Sequence, residues 1–266
     1  MNLDQKTKTA LSDNEALGTI TTIIDSGHLI PDLDVQLGAL LLIDKPIGWT
    51  SFDVVNKIRF ALRYQFGLKK LKVGHAGTLD PLATGLLLVC VGKYTKLIDQ
   101  LAGMDKGYLG EAKFGAVTES YDAESAETEL FPIHHLSLDM ITEAAKTFEG
   151  AIDQIPPQYS AIKINGQTAY SLARKGKEVT MKARQISIHN LEIKSWNAPK
   201  LEFFVYCSKG TYIRSLAHDL GQAVGSGAYL TALRRTSIGP YDVTNALTIE
   251  ELLSYIRTFE KSDQKS

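Results

Sequence analysis

The chain has 266 residues, of which 44% are hydrophobic and 22% are charged, and its formal net charge is −1. This length suits one large or two small domains, and the composition excludes a disordered chain, a collagen-like chain and a coiled coil. Apolar runs such as 86–91 are far shorter than the roughly 20 residues of a membrane helix. Charged residues interrupt every window near the start, so we expect no signal peptide and a cytoplasmic protein.

Neither a metal nor a cofactor is expected from the residue types. Cys90 and Cys207 lie in apolar stretches, which predicts buried thiols in a reducing compartment rather than a disulfide framework. The six histidines show no metal-ligand spacing. The signatures of zinc hydrolases, serine hydrolases, dinucleotide-binding proteins and phosphate-binding loops are also missing from the sequence.

Charge is distributed unevenly along the chain. Residues 1–35 hold two lysines against six acids, which predicts an acidic, partly disordered extension. Residues 154–184 carry six basic side chains and one acid, whereas residues 119–129 carry five acids and no base. Each run alone is typical of a solvated surface, but together they favour a polyanionic partner on one side of the protein.

Hydrophobic periodicity in the first half of the chain predicts strands over 39–43, 86–91 and 108–116. Between the first two strands, Ser51 is predicted to cap a helix. The apolar face of this helix consists of Val54, Val55, Ile58 and Leu62.

The second half of the chain continues the irregular alternation of helices and strands. Its predicted elements are a helix from Ser137 to Gly150, an Asn165-Gly166 turn before a short helix, strands over 186–193 and 203–207, a helix over 216–224, and a last helix capped by Thr248 and Glu251. This pattern is not the regular βαβ repeat of a parallel sheet. It predicts an α+β fold with a central mixed, mostly antiparallel sheet flanked by helices.

The densest candidate for chemistry is the segment 74–85, GHAGTLDPLATG. Its three glycines and its proline indicate a tightly turning loop, and the apolar run 86–91 follows directly. Pro81 favours an extended conformation at Asp80, whose carboxylate is therefore held near the body of the fold. Such a carboxylate either bonds local backbone N–H groups in a turn or is poised to react, and the spacing leaves both interpretations open.

Six segments in the right order resemble the TruB family of tRNA pseudouridine-55 synthases, of the bacterial type. They are LIDKPIGWTS at 42–51, GHAGTLDPLATG at 74–85, DKGY at 105–108, QIPPQYSA at 154–161, SKGTYIR at 208–214 and LRR at 233–235. The resemblance implies the pseudouridine synthase fold in a catalytic domain over 36–258, with an RNA-gripping thumb insertion at about 154–184. The polar tail 259–266 is too short to be the C-terminal PUA domain of many bacterial members, so we expect this domain to be lacking.

The family resemblance implies an isomerase that flips a uridine out of the tRNA T-loop and converts it to pseudouridine. By position, Asp80 is then the nucleophile, attacking either the base or the ribose, and Arg214 is the cation that keeps its pKa low. Tyr108 stacks on the flipped base and is a candidate for proton transfer at C5. Without the resemblance, Arg214 reads as an ordinary ion pair on its helix and Tyr108 as a core aromatic.

The remaining site residues implied by the resemblance bind or support the RNA. His75 occupies the vacated T-loop position and assists flipping, while Tyr212 and Leu233 line the uracil pocket. Lys45 and Pro46 support the catalytic loop. The thumb contacts phosphates through Lys163, Arg174, Lys175 and Lys177, which makes binding sensitive to salt.

The partner implied is the tRNA T-arm, recognised by shape and splayed bases, with a monomeric enzyme that needs no protein partner and no membrane. Three alternatives were weighed. They are a non-catalytic RNA-binding module, a guide-RNA-dependent synthase of the archaeal and eukaryotic branch, and a carboxylate glycosidase. The last requires a second acid paired with Asp80, and the spacing of Asp44 and Asp105 does not provide one.

Overall fold

A computed structural model describes residues 20–31, 33–160, 162–164, 166–173 and 180–260. The strands are β1 Ile23–Ile24, β2 Ala39–Lys45, β3 Val73–Ala76, β4 Ala83–Val91, β5 Lys106–Phe114, β6 Ala116–Thr118, β7 Glu127–Leu130, β8 Gly150–Gln154, β9 Lys163–Ile164, β10 Gln167–Thr168, β11 Arg184–Asn197, β12 Lys200–Cys207, β13 Ala228–Ile238 and β14 Tyr241–Asp242. The helices are α1 Ser51–Gln65, α2 Ile98–Ala102, α3 Leu138–Lys146, α4 Ala169–Ala173, α5 Ile213–Ala223 and α6 Ile249–Ile256, with 3₁₀ turns at Gly92–Leu97 and Val243–Asn245.

The chain divides into two compact units. The first unit comprises residues up to Lys106 together with those from Arg234 onward, and the second comprises Gly107–Leu233. The domain boundaries expected from the sequence, at 36 and 258, stay a prediction. Residues 1–19 and 261–266, which fall in the predicted extension and tail, lie outside the described residues.

The sheet of the first unit has the strand order β1-β2-β4-β13, with β3 also paired to β4. β1 runs parallel to β2, whereas β2 and β3 run antiparallel to β4. Because successive side chains of a strand point to opposite faces, β2 and β4 contribute to two separate cores. On one face, Leu41, Ile43, Leu87 and Val89 pack with the apolar sides of α1 and α6. On the other face, Leu40, Leu42, Leu86 and Leu88 pack around Leu101, Ile238 and Tyr241.

The start of α1 differs from the sequence prediction. Thr50, not Ser51, is the N-cap, and it forms a capping box with Asp53. The Ser51 hydroxyl is engaged elsewhere, since it bonds both the N–H and the carbonyl of Leu79. The predicted apolar face of α1 is confirmed, because Val54, Val55, Ile58 and Leu62 are all buried.

Part of the predicted extension packs on the first unit. Ile24, in β1, is fully buried. The Tyr94 hydroxyl accepts hydrogen bonds from the backbone N–H groups of Thr21 and Thr22, and the Tyr255 hydroxyl donates to the Ile30 carbonyl. These contacts hold residues 20–31 along the edge of the sheet.

In the second unit the strand order is β13-β5-β12-β11-β8. β11 pairs antiparallel with both β12 and β8, and α3 packs against β11 and α5. The expected α3 begins at its predicted cap, Ser137, but ends at Lys146 rather than at Gly150. Gly150 instead begins β8, with a positive φ of 96°. The predicted α+β class, with a mixed and mostly antiparallel sheet flanked by helices, is confirmed.

Candidate active site

The loop between β3 and β4 carries Asp80 and is fixed to the segment that starts α1. The Ser51 hydroxyl accepts from Leu79 N–H at 2.8 Å and donates to the Leu79 carbonyl at 3.1 Å. The backbone N–H of Gly48 donates to the Pro81 carbonyl at 2.8 Å. Asp80 itself is half-buried, and its carbonyl accepts from Ala83 N–H in a tight turn. The residues on both sides of the Asp80 carboxylate are thus anchored to 48–51.

Lys45 is a fully buried cation of this loop. Its ammonium group donates to the carbonyls of Pro46 at 2.9 Å and Trp49 at 2.6 Å. Burial lowers the pKa of Lys45 to about 8, and the negative charge of Asp80 acts in the opposite direction by raising it. The predicted pair of Lys45 and Pro46 therefore lies in the electrostatic neighbourhood of Asp80.

Arg235 in β13 is a second buried cation, which the sequence reasoning did not single out. Its guanidinium donates to the carbonyls of Leu86 at 2.7 Å and Gly77 at 3.2 Å. Its positive charge also lowers the pKa of Lys45. Only its presence in the LRR segment at 233–235 hinted at importance. Arg235 thus ties β13 to both ends of the Asp80 loop.

Two glycines permit this close approach. Gly77 and Gly85 have φ values of 92° and 99°, which favour glycine. A Cβ atom at Gly85 would lie 2.2 Å from the carbonyl oxygen of Arg235. A side chain at position 85 would therefore drive the loop away from β13.

His75 lies in β3, directly before the loop. Burial lowers the pKa of its imidazole, the positive charge of Arg235 lowers it further, and a hydrogen bond with the Gly77 backbone acts the other way. His75 is therefore held as a neutral imidazole, which suits a residue that fills space beside RNA more than one that binds phosphate.

This shift predicts a pH dependence of stability. Because the unfolded chain binds a proton at His75 more readily than the folded chain, the free energy of unfolding falls as the pH drops through 6.5 and below. We expect a His75→Gln variant to lose less stability than the native protein between about pH 7 and about pH 5. Urea unfolding midpoints at the two pH values measure this difference, and equal losses in both proteins would contradict it.

The predicted residues of the second unit include a buried ion pair. Arg214 is 6% exposed, and its guanidinium lies 3.4 Å from the Asp122 carboxylate. The same guanidinium donates to the carbonyls of Ser120 at 3.1 Å and Tyr159 at 2.9 Å. Asp122 lies outside α5, so the pair is not the intrahelical one considered from the sequence. Asp122 was visible only as one of five acids in 119–129.

The aromatic and apolar candidates of the second unit lie on three different elements. Tyr108 is in β5 and is 7% exposed. Tyr212 is the N-cap of α5, and its backbone N–H and carbonyl both bond the Gln154 side-chain amide, at 2.8 and 3.1 Å. Leu233, in β13, is half-buried.

The thumb is described only in part. Lys163 lies in β9, which pairs antiparallel with β10, and α4 follows. The predicted phosphate contacts Arg174, Lys175 and Lys177 lie outside the described residues. Within the described ranges no group of histidine, cysteine and acidic side chains could hold a metal ion. None of the helices seen there has the length and apolar character needed to cross a bilayer.

The family model of the TruB family pseudouridylate synthase N-terminal domain matches residues 63–213 of the chain. The chain belongs to this family. A second model, the tRNA pseudouridylate synthase B C-terminal domain, matches residues 214–266. The family resemblance inferred from the motifs is confirmed, and with it the class of isomerase that forms pseudouridine.

Relatives of the TruB family cover most of the chain. The tRNA pseudouridine synthase B of Flavobacterium johnsoniae is 53% identical over 80% of this chain and 93% of its own length. That of Parabacteroides distasonis is 46% identical over 84% of this chain and 95% of its own length.

A solved structure confirms the pseudouridine synthase fold. The Cbf5 chain of a Cbf5-Nop10-Gar1 complex matches with a TM-score of 0.63 and 30% identity over 83% of this chain. The match covers 55% of that chain, so this chain spans about half the length of its structural relative.

Proposed function

We propose that this chain converts the T-loop uridine at position 55 of tRNA to pseudouridine, with Asp80 as the nucleophile. The observation that carries the proposal is the Asp80 loop. Its carboxylate follows a residue pinned by Ser51 and lies in the field of buried Lys45. Two relatives that match over most of their length carry the name tRNA pseudouridine synthase B.

The local charges favour the chemistry that this reaction needs. Asp80 is the only acid between residues 54 and 98, and the buried cations Lys45 and Arg235 adjoin its loop. Neighbouring positive charge favours the ionised carboxylate, which is the nucleophilic form. Asp80 forms a covalent bond to the uracil ring or the ribose as the N1–C1′ bond breaks. The base then rotates, a C5–C1′ bond forms, C5 loses its proton and the Asp80 carboxylate is released.

The residues of the second unit are proposed to act on the base and the RNA. Tyr108 stacks on the uracil and accepts or relays the C5 proton, while Tyr212 and Leu233 line the base pocket. Arg214 supplies positive charge, and its rigid bonds to Ser120, Asp122 and Tyr159 keep the guanidinium in one orientation.

The remaining proposed contacts hold the RNA and prepare the uridine. His75 takes the space that the flipped uridine leaves, and Lys45 and Pro46 brace the loop. Lys163, Arg174, Lys175 and Lys177 contact T-arm phosphates. The enzyme works as a cytoplasmic monomer that requires no protein partner. Light scattering of the active protein, alone and with tRNA, tests this last point.

The glycosidase alternative lacks a free partner for Asp80 at Asp44. Both Asp44 oxygens accept from Arg234, at 3.0 and 2.6 Å, so this carboxylate is held in a bidentate ion pair. The guide-RNA-dependent alternative is disfavoured by identity, which is 53% to a tRNA pseudouridine synthase B and 30% to Cbf5.

Tritium release from a tRNA transcript labelled at uridine C5 tests the proposed function. We expect the native protein to release the label of one uridine per tRNA, and to release none from a transcript that carries cytidine at position 55. Equal release from both transcripts would place the target elsewhere in the RNA. Tight binding without release from either would favour the non-catalytic RNA-binding module.

A further inference from the structure

The outer face of α1 carries an aromatic stripe. The buried side chains of this helix lie on one side, and Phe52, Phe60 and Tyr64 lie on the other, at a spacing of four or eight residues. Their exposed fractions are 61%, 71% and 63%. The rings of Phe60 and Tyr64 are nearly parallel, with an interplanar angle of 9° and centroids 6.4 Å apart. Flat, ordered rings are therefore presented to solvent.

The same face is basic. Lys57, Arg59 and Arg63 belong to α1, and Arg59 and Arg63 are oriented by bonds to the carbonyls of Val73 and Leu68. Residues 54–98 contain eight lysines and arginines, against Asp80 as the only acid. This excess is larger than that of the thumb segment, in which the sequence analysis placed the RNA contacts.

The lysines beside α1 are not neutralised within the protein. They are Lys57, Lys69, Lys70, Lys72, Lys93 and Lys96, all exposed. In the part of the chain that the structure describes, none of their ammonium groups forms an ion pair. Two adjoining clefts of about 490 and 520 Å³ lie among them, and both are lined by Lys70 and Lys72. This uncompensated charge calls for a polyanion.

The stripe begins beside the candidate nucleophile. Ser51, the first residue of α1, bonds Leu79, which directly precedes Asp80. From Ser51 to Tyr64 the helix rises by about 20 Å, at about 1.5 Å per residue. An RNA strand that leaves the Asp80 loop can therefore follow the stripe continuously.

We propose that this face of α1, formed by Phe52, Lys57, Phe60, Arg63 and Tyr64 and called here the α1 track, binds an unpaired stretch of RNA. Bases stack on the aromatic rings, and the lysines of 69–72 and 93–96 contact the phosphates. Exposed aromatics interleaved with cations are the usual platform for single-stranded RNA. The proposal rests on the proposed function, because it extends the binding of the same RNA substrate beyond the T-arm.

A protein surface or a second copy of the chain could cover the aromatic rings, but neither accounts for six unpaired lysines beside them. A polyanion accounts for both the rings and the charge. Because paired bases of a stem do not offer their faces for stacking, the stripe favours unpaired nucleotides over a duplex.

Two RNA probes separate the α1 track from the catalytic site. One is a T-arm stem-loop, and the other is the same stem-loop with a single-stranded extension of about eight nucleotides, within the range one platform covers. Fluorescence anisotropy at fixed salt gives both dissociation constants. We expect the native protein to bind the extended probe more tightly. We expect the double variant F60L/Y64L, which keeps apolar side chains without rings, to lose this gain by about ten-fold per lost stack.

Tritium release from the bare stem-loop is expected to be unchanged in the double variant. Leu130→Ala, at an apolar residue 75% exposed in β7, is the matched control and keeps the gain. Failure of the proposed function would appear as no release by the native protein, whatever the probes show. Equal affinity of the native protein for the two probes would overturn the α1 track. So would equal weakening of both probes in the variant, or an effect confined to self-association in light scattering.

A second variant tests the phosphate contacts independently of the rings. Lys69→Ala with Lys70→Ala removes two exposed cations and no buried contact. For the extended probe, the slope of log affinity against log salt is expected to fall by about 1.4, at about 0.7 per lost single-strand phosphate contact. An unchanged slope would remove the lysines from the α1 track.

Discussion

Asp80→Asn is expected to abolish tritium release from tRNA, by at least about 10⁴-fold, while the affinity for tRNA is retained. The amide has the size of the carboxylate but neither its charge nor its nucleophilicity. The loop itself is unlikely to provide the difference by unfolding, because its anchoring bonds run through the backbone of Leu79 and Pro81 and not through the Asp80 side chain. Release assays and binding measurements on the same preparations check both parts of the prediction.

Asp99→Asn is the matched control for this variant, since Asp99 is an exposed acid of α2 in the same unit. Its activity is expected to equal that of the native protein. Undiminished release by Asp80→Asn would assign the attack to another residue. Loss of tRNA affinity in parallel with activity would mean that Asp80 holds the RNA and would leave its chemical role without support.

Gly85→Ala is expected to give the largest loss of stability of any single change at the site, about 3 kcal/mol or more. Its backbone has φ of 99°, which disfavours any side chain, and the added methyl group meets the backbone of Arg235 at 2.2 Å. Backbone cannot move aside as a flexible side chain can, so β4 and β13 must separate. Urea unfolding followed by circular dichroism measures the change.

Gly150→Ala separates the two causes of that loss. Gly150 has a similar φ of 96°, but no atom lies within 4 Å of a Cβ built on it. This variant is therefore expected to show the conformational cost alone, about 1–2 kcal/mol. Equal destabilisation by the two changes would show that the contact between Gly85 and Arg235 contributes nothing.

The buried cations give the Asp80 loop its character. Lys45 and Arg235 satisfy their N–H groups on backbone carbonyls instead of on carboxylates. Their net charge is therefore left to act on the loop, and the pKa of Lys45, lowered to about 8, reflects the cost of this arrangement. Such a concentration of positive charge beside one acid is favourable for a site that must keep a carboxylate ionised and bind RNA.

Much of the fold could be predicted from local patterns. The continuous apolar runs of β2 and β4 and the period of α1 reflect burial on two faces and on one face, which sequence spacing records directly. The Asp80 loop was also legible, since glycine and proline restrict the backbone wherever they occur. The family motifs located Tyr108 and Arg214 by position, and their roles stay predictions.

The tertiary structure alone decided which polar groups meet. β13 was missed because its central residues, such as Arg234 and Arg235, read as a polar surface, yet Arg235 is 1% exposed and bonds Leu86 and Gly77. Thr50 caps α1 in place of Ser51 because the Ser51 hydroxyl is taken by Leu79, 28 residues away. Periodicity encodes how much of an element is buried. The partner of a buried polar group is set by chain segments that are distant in sequence, and no local spacing carries that information.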